Sequence, residues 1–136
     1  MTPRTTRIAG PRHVQRLGPL DRRTAAWRDD LADIALAAQV AVPTYVAPVT
    51  MEVQRQTPLL SADRPDAVAV SELLPGERFA LLDSGHGYGW GYAESDRYVG
   101  HVALEALAVI AAEASHLIGP GDALIFAQAD IKSTVV

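Results

Sequence analysis

The chain contains no cysteine. That excludes a disulfide scaffold, a thiolate metal site and a cysteine nucleophile within its 136 residues. No run approaches the roughly 18 to 20 apolar residues that a membrane helix requires. The longest weakly polar stretch, Leu31 to Val49, is broken by Asp33, Gln39 and two prolines. The first 20 residues hold no apolar block of the kind a secretory signal carries, so a cytoplasmic location is expected. His13, His86, His101 and His116 are dispersed, with no pair at zinc-ligand spacing. No serine stands in a Gly-x-Ser-x-Gly elbow, and Gly85-His86-Gly87-Tyr88-Gly89 opens no helix and has no P-loop lysine. The expectation is a chain with no metal, no cofactor, no membrane association and no catalytic residue of its own.

Acidic charge is nearly absent from the first 28 residues, which carry seven arginines against Asp21 alone. The remainder carries five basic and fifteen acidic groups, and the whole has a net charge of -4. A basic arm on an acidic body reads as a solvated extension, and the acidic body disfavours nucleic acid as a partner. Residues 1–20 show Thr, Arg, Gly and Pro without apolar periodicity and are expected to be a disordered tail. Within residues 21–50, Trp27, Leu31, Ile34, Ala35 and Ala38 recur at helical spacing, and Asp29 or Asp30 can cap a short helix from about Leu31. Pro43 and Pro48 then bracket an extended lead-in.

From Met51 the period changes to two, and short apolar runs separated by turn residues continue to Ile110. Pro75-Gly76 fits a type II turn, after which Phe79 and Leu81 share one strand face. Tyr88-Gly89-Trp90-Gly91-Tyr92 projects three rings from the same face, with glycines opposite that leave room for a close neighbour or a bend. The pattern predicts a mainly β fold: a small SH3-like barrel of five strands over residues 51–110, preceded by a short helix. A linker is expected over 111–121. Residues 122–136 parallel the stretch from Pro58 at an offset of about 66, which reads as the opening of a second SH3-like unit.

Val70-Ser71-Glu72-Leu73-Leu74-Pro75-Gly76-Glu77-Arg78-Phe79, Gly89-Trp90-Gly91-Tyr92 and Asp96-Arg97-Tyr98-Val99-Gly100 carry a more specific likeness. They resemble the first bacterial SH3-like domain of NlpC-type cell-wall cysteine peptidases, the γ-D-glutamyl-diaminoacid endopeptidases also called dipeptidyl-peptidase VI. The resemblance implies a non-catalytic module that admits murein peptides with a free N-terminal L-Ala-γ-D-Glu. Hydrolysis would belong to a cysteine-peptidase domain elsewhere, in the same polypeptide or in a partner. It also implies that an acid, Glu72 or Glu77, and a tyrosine contact the ligand's ammonium. The candidate ligand-binding residues are Glu77, Trp90, Tyr92 and Tyr98. His101 and Tyr88 depart from the aromatic residues usual at their positions, a change suited to retuning a ligand surface. The alternative is a protein-interaction domain whose aromatic groove grips a proline-rich or other extended peptide of a partner.

Overall fold

The computed structural model describes residues 3–12, 15–16 and 18–110. The expected linker over 111–121 and the second unit over 122–136 lie outside those residues. The N-terminal part supplies β1 (Thr6–Ala9), β2 (Gln15–Arg16), β3 (Ala32–Asp33), β4 (Val40–Ala41) and β5 (Thr44–Ala47). The rest supplies β6 (Val49–Val53), β7 (Thr57–Leu60), β8 (Ala69–Leu73), β9 (Arg78–Gly85), β10 (Tyr88–Ala93), β11 (Val99–Ala103) and β12 (Leu107–Val109). No helix among the described residues is long and apolar enough to cross a membrane.

Strands β6 to β12 form one antiparallel sheet in the order β12-β6-β9-β10-β11-β7-β8. Its turns are those the residues demand. Gly76 takes φ 87°, and the Glu77 N–H returns to the Leu74 carbonyl across Pro75-Gly76. His86 and Gly87 both take positive φ, the backbone of a two-residue type I′ hairpin between β9 and β10. Met51, Leu59, Leu73, Phe79, Ala93, Val102 and Leu107, one from each strand, meet in a single core, so the sheet curls around itself. The expected five-stranded barrel is thus a seven-stranded curled sheet, open in its ladder between β8 and β12. The turn after β8 bridges part of the gap: the Gly76 N–H reaches the Val53 carbonyl, and the Val53 N–H the Glu77 carbonyl. Pro58 is tolerated inside β7 because β7 pairs with β11 only at Leu60 and so needs no N–H from residue 58 there.

The lead-in departs from expectation in two ways. No α-helix follows Asp29 and Asp30. Those residues form a tight turn closed by the Arg28 N–H on the Leu31 carbonyl and by a bridge between Trp27 and Ala32. β3 then pairs parallel with β5, and only a 3₁₀ turn, Ile34–Leu36, follows, capped by the Asp33 carboxylate on the Ala35 N–H. Leu31 and Ala32 enter different apolar clusters, which is strand behaviour despite the helical spacing of the larger set. The second departure concerns the expected disordered tail. Thr6–Ala9 pair antiparallel with β5, giving a sheet ordered β1-β5-β3, and the Gly10 N–H bonds to the Pro43 carbonyl. A Cβ at residue 10 would collide with the Val42 carbonyl and the Tyr45 ring, so glycine is required there.

The lead-in is also a lid. Ala26, Leu31 and Val46 cover the outer face of β9 and β10, packing on Ala80, Leu82, Trp90 and Tyr92. The Val99 N–H ties the start of β11 to the Arg23 carbonyl. Both faces of β9 and β10 are therefore buried.

Candidate functional site

The strand Tyr88 to Tyr92 decides where a ligand can reach. Its glycines face the inner core: an added Cβ at Gly89 would meet Leu81, and one at Gly91 the Ala80 carbonyl. The register shifts between Trp90 and Gly91, so the strand has the bend its glycines allow. The rings face the lead-in instead of solvent. Trp90 is 5% exposed and Tyr92 6%, whereas Tyr88 is half-buried at the hairpin end. Arg97, in positive φ, lays its guanidinium 4.1 Å from the Tyr92 ring centroid. Burial, and then the neighbouring Asp33 carboxylate, push the Tyr92 phenol above its ordinary range.

Where the lid ends, a groove remains. Two adjoining hollows, of about 230 Å³ and about 280 Å³, share Arg28, Trp90 and His101. Trp90 and His101 stand opposite each other on β10 and β11, which places their side chains side by side on one face. The first hollow is walled by Asp63, Asp83, His86 and Tyr88; the second by Arg22, Trp27, Ser61 and Val99.

Charge in this groove is held in fixed positions. Arg28 gives Nε and Nη2 to the two oxygens of Asp30, at 2.9 and 2.8 Å, and Nη2 also to Asp83 at 2.8 Å. Its guanidinium lies 4.6 Å from the Trp90 centroid. The other oxygen of Asp83 accepts from Arg7 at 2.6 Å, tying β1 to the groove wall. His86 Nδ1 meets Asp63 Oδ2 at 2.7 Å, joining the β7–β8 loop to the β9–β10 hairpin. That contact leads the lowering of the Asp63 carboxyl below its usual range. His101 shifts downward, first because it is half-buried; the Asp63 carboxylate pulls the other way and Arg28 reinforces the shift. The Trp27 indole N–H is buried without a hydrogen-bond partner among the described residues.

The groove is suited to binding. His86 and Asp63 are an acid–base pair, yet no serine hydroxyl is bonded to His86 among the described residues, and the imidazole side chain is 85% exposed. No group of three His, Asp or Glu side chains among the described residues could hold a metal ion.

Residues 59–107 match the family model of the bacterial dipeptidyl-peptidase Sh3 domain. The matched stretch runs from within β7 to the start of β12 and includes Asp63, Asp83, His86, Tyr88, Trp90 and His101. No curated protein and no solved structure matches the chain. Arg22, Trp27 and Arg28 lie outside the Sh3 match, so one wall of the groove comes from the lead-in.

The residues expected to bind are scattered relative to this groove. Trp90 lines both hollows; Tyr92 is packed under the lid; Tyr98 is 40% exposed and lines neither hollow. Glu77 closes its own turn, its Oε2 accepting the Leu74 N–H at 2.8 Å, and Glu72 accepts from Gln56. Neither glutamate lines the hollows. The residue substitutions at His101 and Tyr88 were the available signal, since both sit in the groove. Arg28 and Asp83 are 55 positions apart, and no local spacing announces their pairing.

Proposed function

We propose that this chain is a non-catalytic recognition module for short murein peptides bearing a free N-terminal L-Ala-γ-D-Glu. A cysteine-peptidase domain elsewhere would perform hydrolysis. The observation that carries the reading is the groove at the junction of lid and Sh3 domain, where a carboxylate, Asp63, stands with Tyr88 over an aromatic floor. The acid that meets the ligand's ammonium is then Asp63, in place of Glu72 or Glu77. His86 already holds Asp63 Oδ2, so the ammonium would meet the other oxygen, and a blocked N-terminus is rejected because acylation removes the charge that makes this second hydrogen bond strong. The family match supports a binding role of this kind. A proline-rich or other extended ligand is less well served: Tyr92 is packed under the lead-in, which leaves only Tyr88 and Trp90 of the three rings of β10 at the groove.

Calorimetric titration with L-Ala-γ-D-Glu-diaminopimelate, beside its N-acetyl form, tests the reading. The free peptide binds, acetylation abolishes binding, and Asp63→Asn weakens it about tenfold, in line with loss of one charged hydrogen bond. Equal binding of the acetylated peptide, or none of the free one, refutes the proposal.

A further inference from the structure

The second hollow carries a chemistry that capture of an amine does not use. Two guanidinium groups, Arg22 and Arg28, line it beside Trp27, Trp90, Ser61 and His101, and no carboxylate does. Each guanidinium is stacked on an indole: Arg22 lies 3.8 Å from the Trp27 centroid, Arg28 4.6 Å from that of Trp90. Stacking fixes the plane of each fork and so the direction of its N–H groups. Neither fork is full. Arg22 gives one bond, from Nη2 to the exposed Asp29 at 2.8 Å, leaving Nε and Nη1 without partners among the described residues. Arg28 gives Nε and Nη2 to Asp30 and Asp83, leaving Nη1 without one. His101, held below its ordinary range by burial, adds no positive charge near neutral pH, so the cationic character of the hollow belongs to the arginines.

We propose that this hollow is a carboxylate subsite, in which Arg22 and Arg28 together hold one carboxylate of the ligand whose ammonium lies in the adjoining hollow. The inference rests on the peptide-recognition reading and assigns the chemistry of the groove's other end. In a γ-linked D-glutamyl peptide the group so placed is the free α-carboxylate, left over because the chain continues through the side chain. Asp29, Asp30 and Asp83 face the two arginines, and with Arg7 on Asp83 the charges balance, so the free N–H groups rather than a net positive charge would hold the ligand, which suits a single carboxylate better than a doubly charged phosphate.

The test compares L-Ala-γ-D-Glu-diaminopimelate with its D-isoglutaminyl form, which differs only in carrying an amide in place of that carboxylate, by calorimetry on the full chain. The acid binds about tenfold more tightly than the amide, the effect of losing a charged hydrogen-bonded pair. Arg22→Gln removes that advantage, weakening the acid and leaving the amide unchanged, and Arg22→Lys restores part of it because charge returns without the fork. Circular dichroism of each variant checks that the fold is kept. Equal affinity for acid and amide, or equal weakening of both by Arg22→Gln, overturns the subsite while the recognition of a free amine stands. Absence of binding by both peptides overturns both readings.

Discussion

At Gly91 the space for a side chain is taken by the Ala80 carbonyl of the neighbouring strand, which cannot move without parting β9 from β10. Gly91→Ala is therefore expected to destabilise the fold by about 1–3 kcal/mol, the usual range for forcing an extra carbon into a packed core. Urea denaturation reads this directly, and a variant with an unchanged midpoint would contradict the close approach. The alternation of glycine and ring was legible in the sequence, as was the need for room on the glycine side. What covers the rings was not. The cover comes from Ala26, Leu31 and Val46, which lie more than 40 residues upstream and carry no local mark of their destination. Glu77 teaches a related lesson: an acid beside a Pro-Gly turn satisfied the requirement for a ligand-binding carboxylate, but its own backbone turn uses it first.

Among the elements, β1 is the one held most lightly. All four of its residues are exposed, so burial leaves no apolar alternation to read, and among the described residues backbone pairing with β5, the adjoining Gly10–Pro43 bond and the Arg7–Asp83 ion pair secure it. Arg7→Ala is expected to speed amide hydrogen exchange across Thr6–Ala9 while leaving β9 and β10 protected. Because the Arg7 side chain is 54% exposed, the global cost should stay under about 1 kcal/mol. Unchanged exchange in β1 would show that the pairing with β5 alone fixes it. The missing helix has the opposite cause. Trp27, Leu31 and Ile34 do show helical spacing, but Leu31 and Ala32 face two separate cores, and tertiary burial overrides the local period.

For the molecule as a whole, His101 gives stability a pH dependence of definite sign. Its folded pKa lies below the ordinary value of about 6.5, so the unfolded chain binds the proton more readily. This contribution is fully present above about pH 6.5 and is lost as pH falls from there through the folded pKa. Denaturation midpoints measured between pH 8 and pH 5 should decline on the acid side, and His101→Gln should flatten that decline; an identical slope in the variant would remove His101 as its cause. The SH3-like character of the chain was legible because turns and alternation are local. The groove was not, because its two walls, residues 22–28 and 61–101, meet only when the lid closes on the sheet. That division has a thermodynamic consequence. Any opening that parts the lid from the sheet destroys the site, so binding is coupled to the packing of those two parts, and a ligand at a hundredfold excess over its Kd adds about 2.7 kcal/mol against that opening.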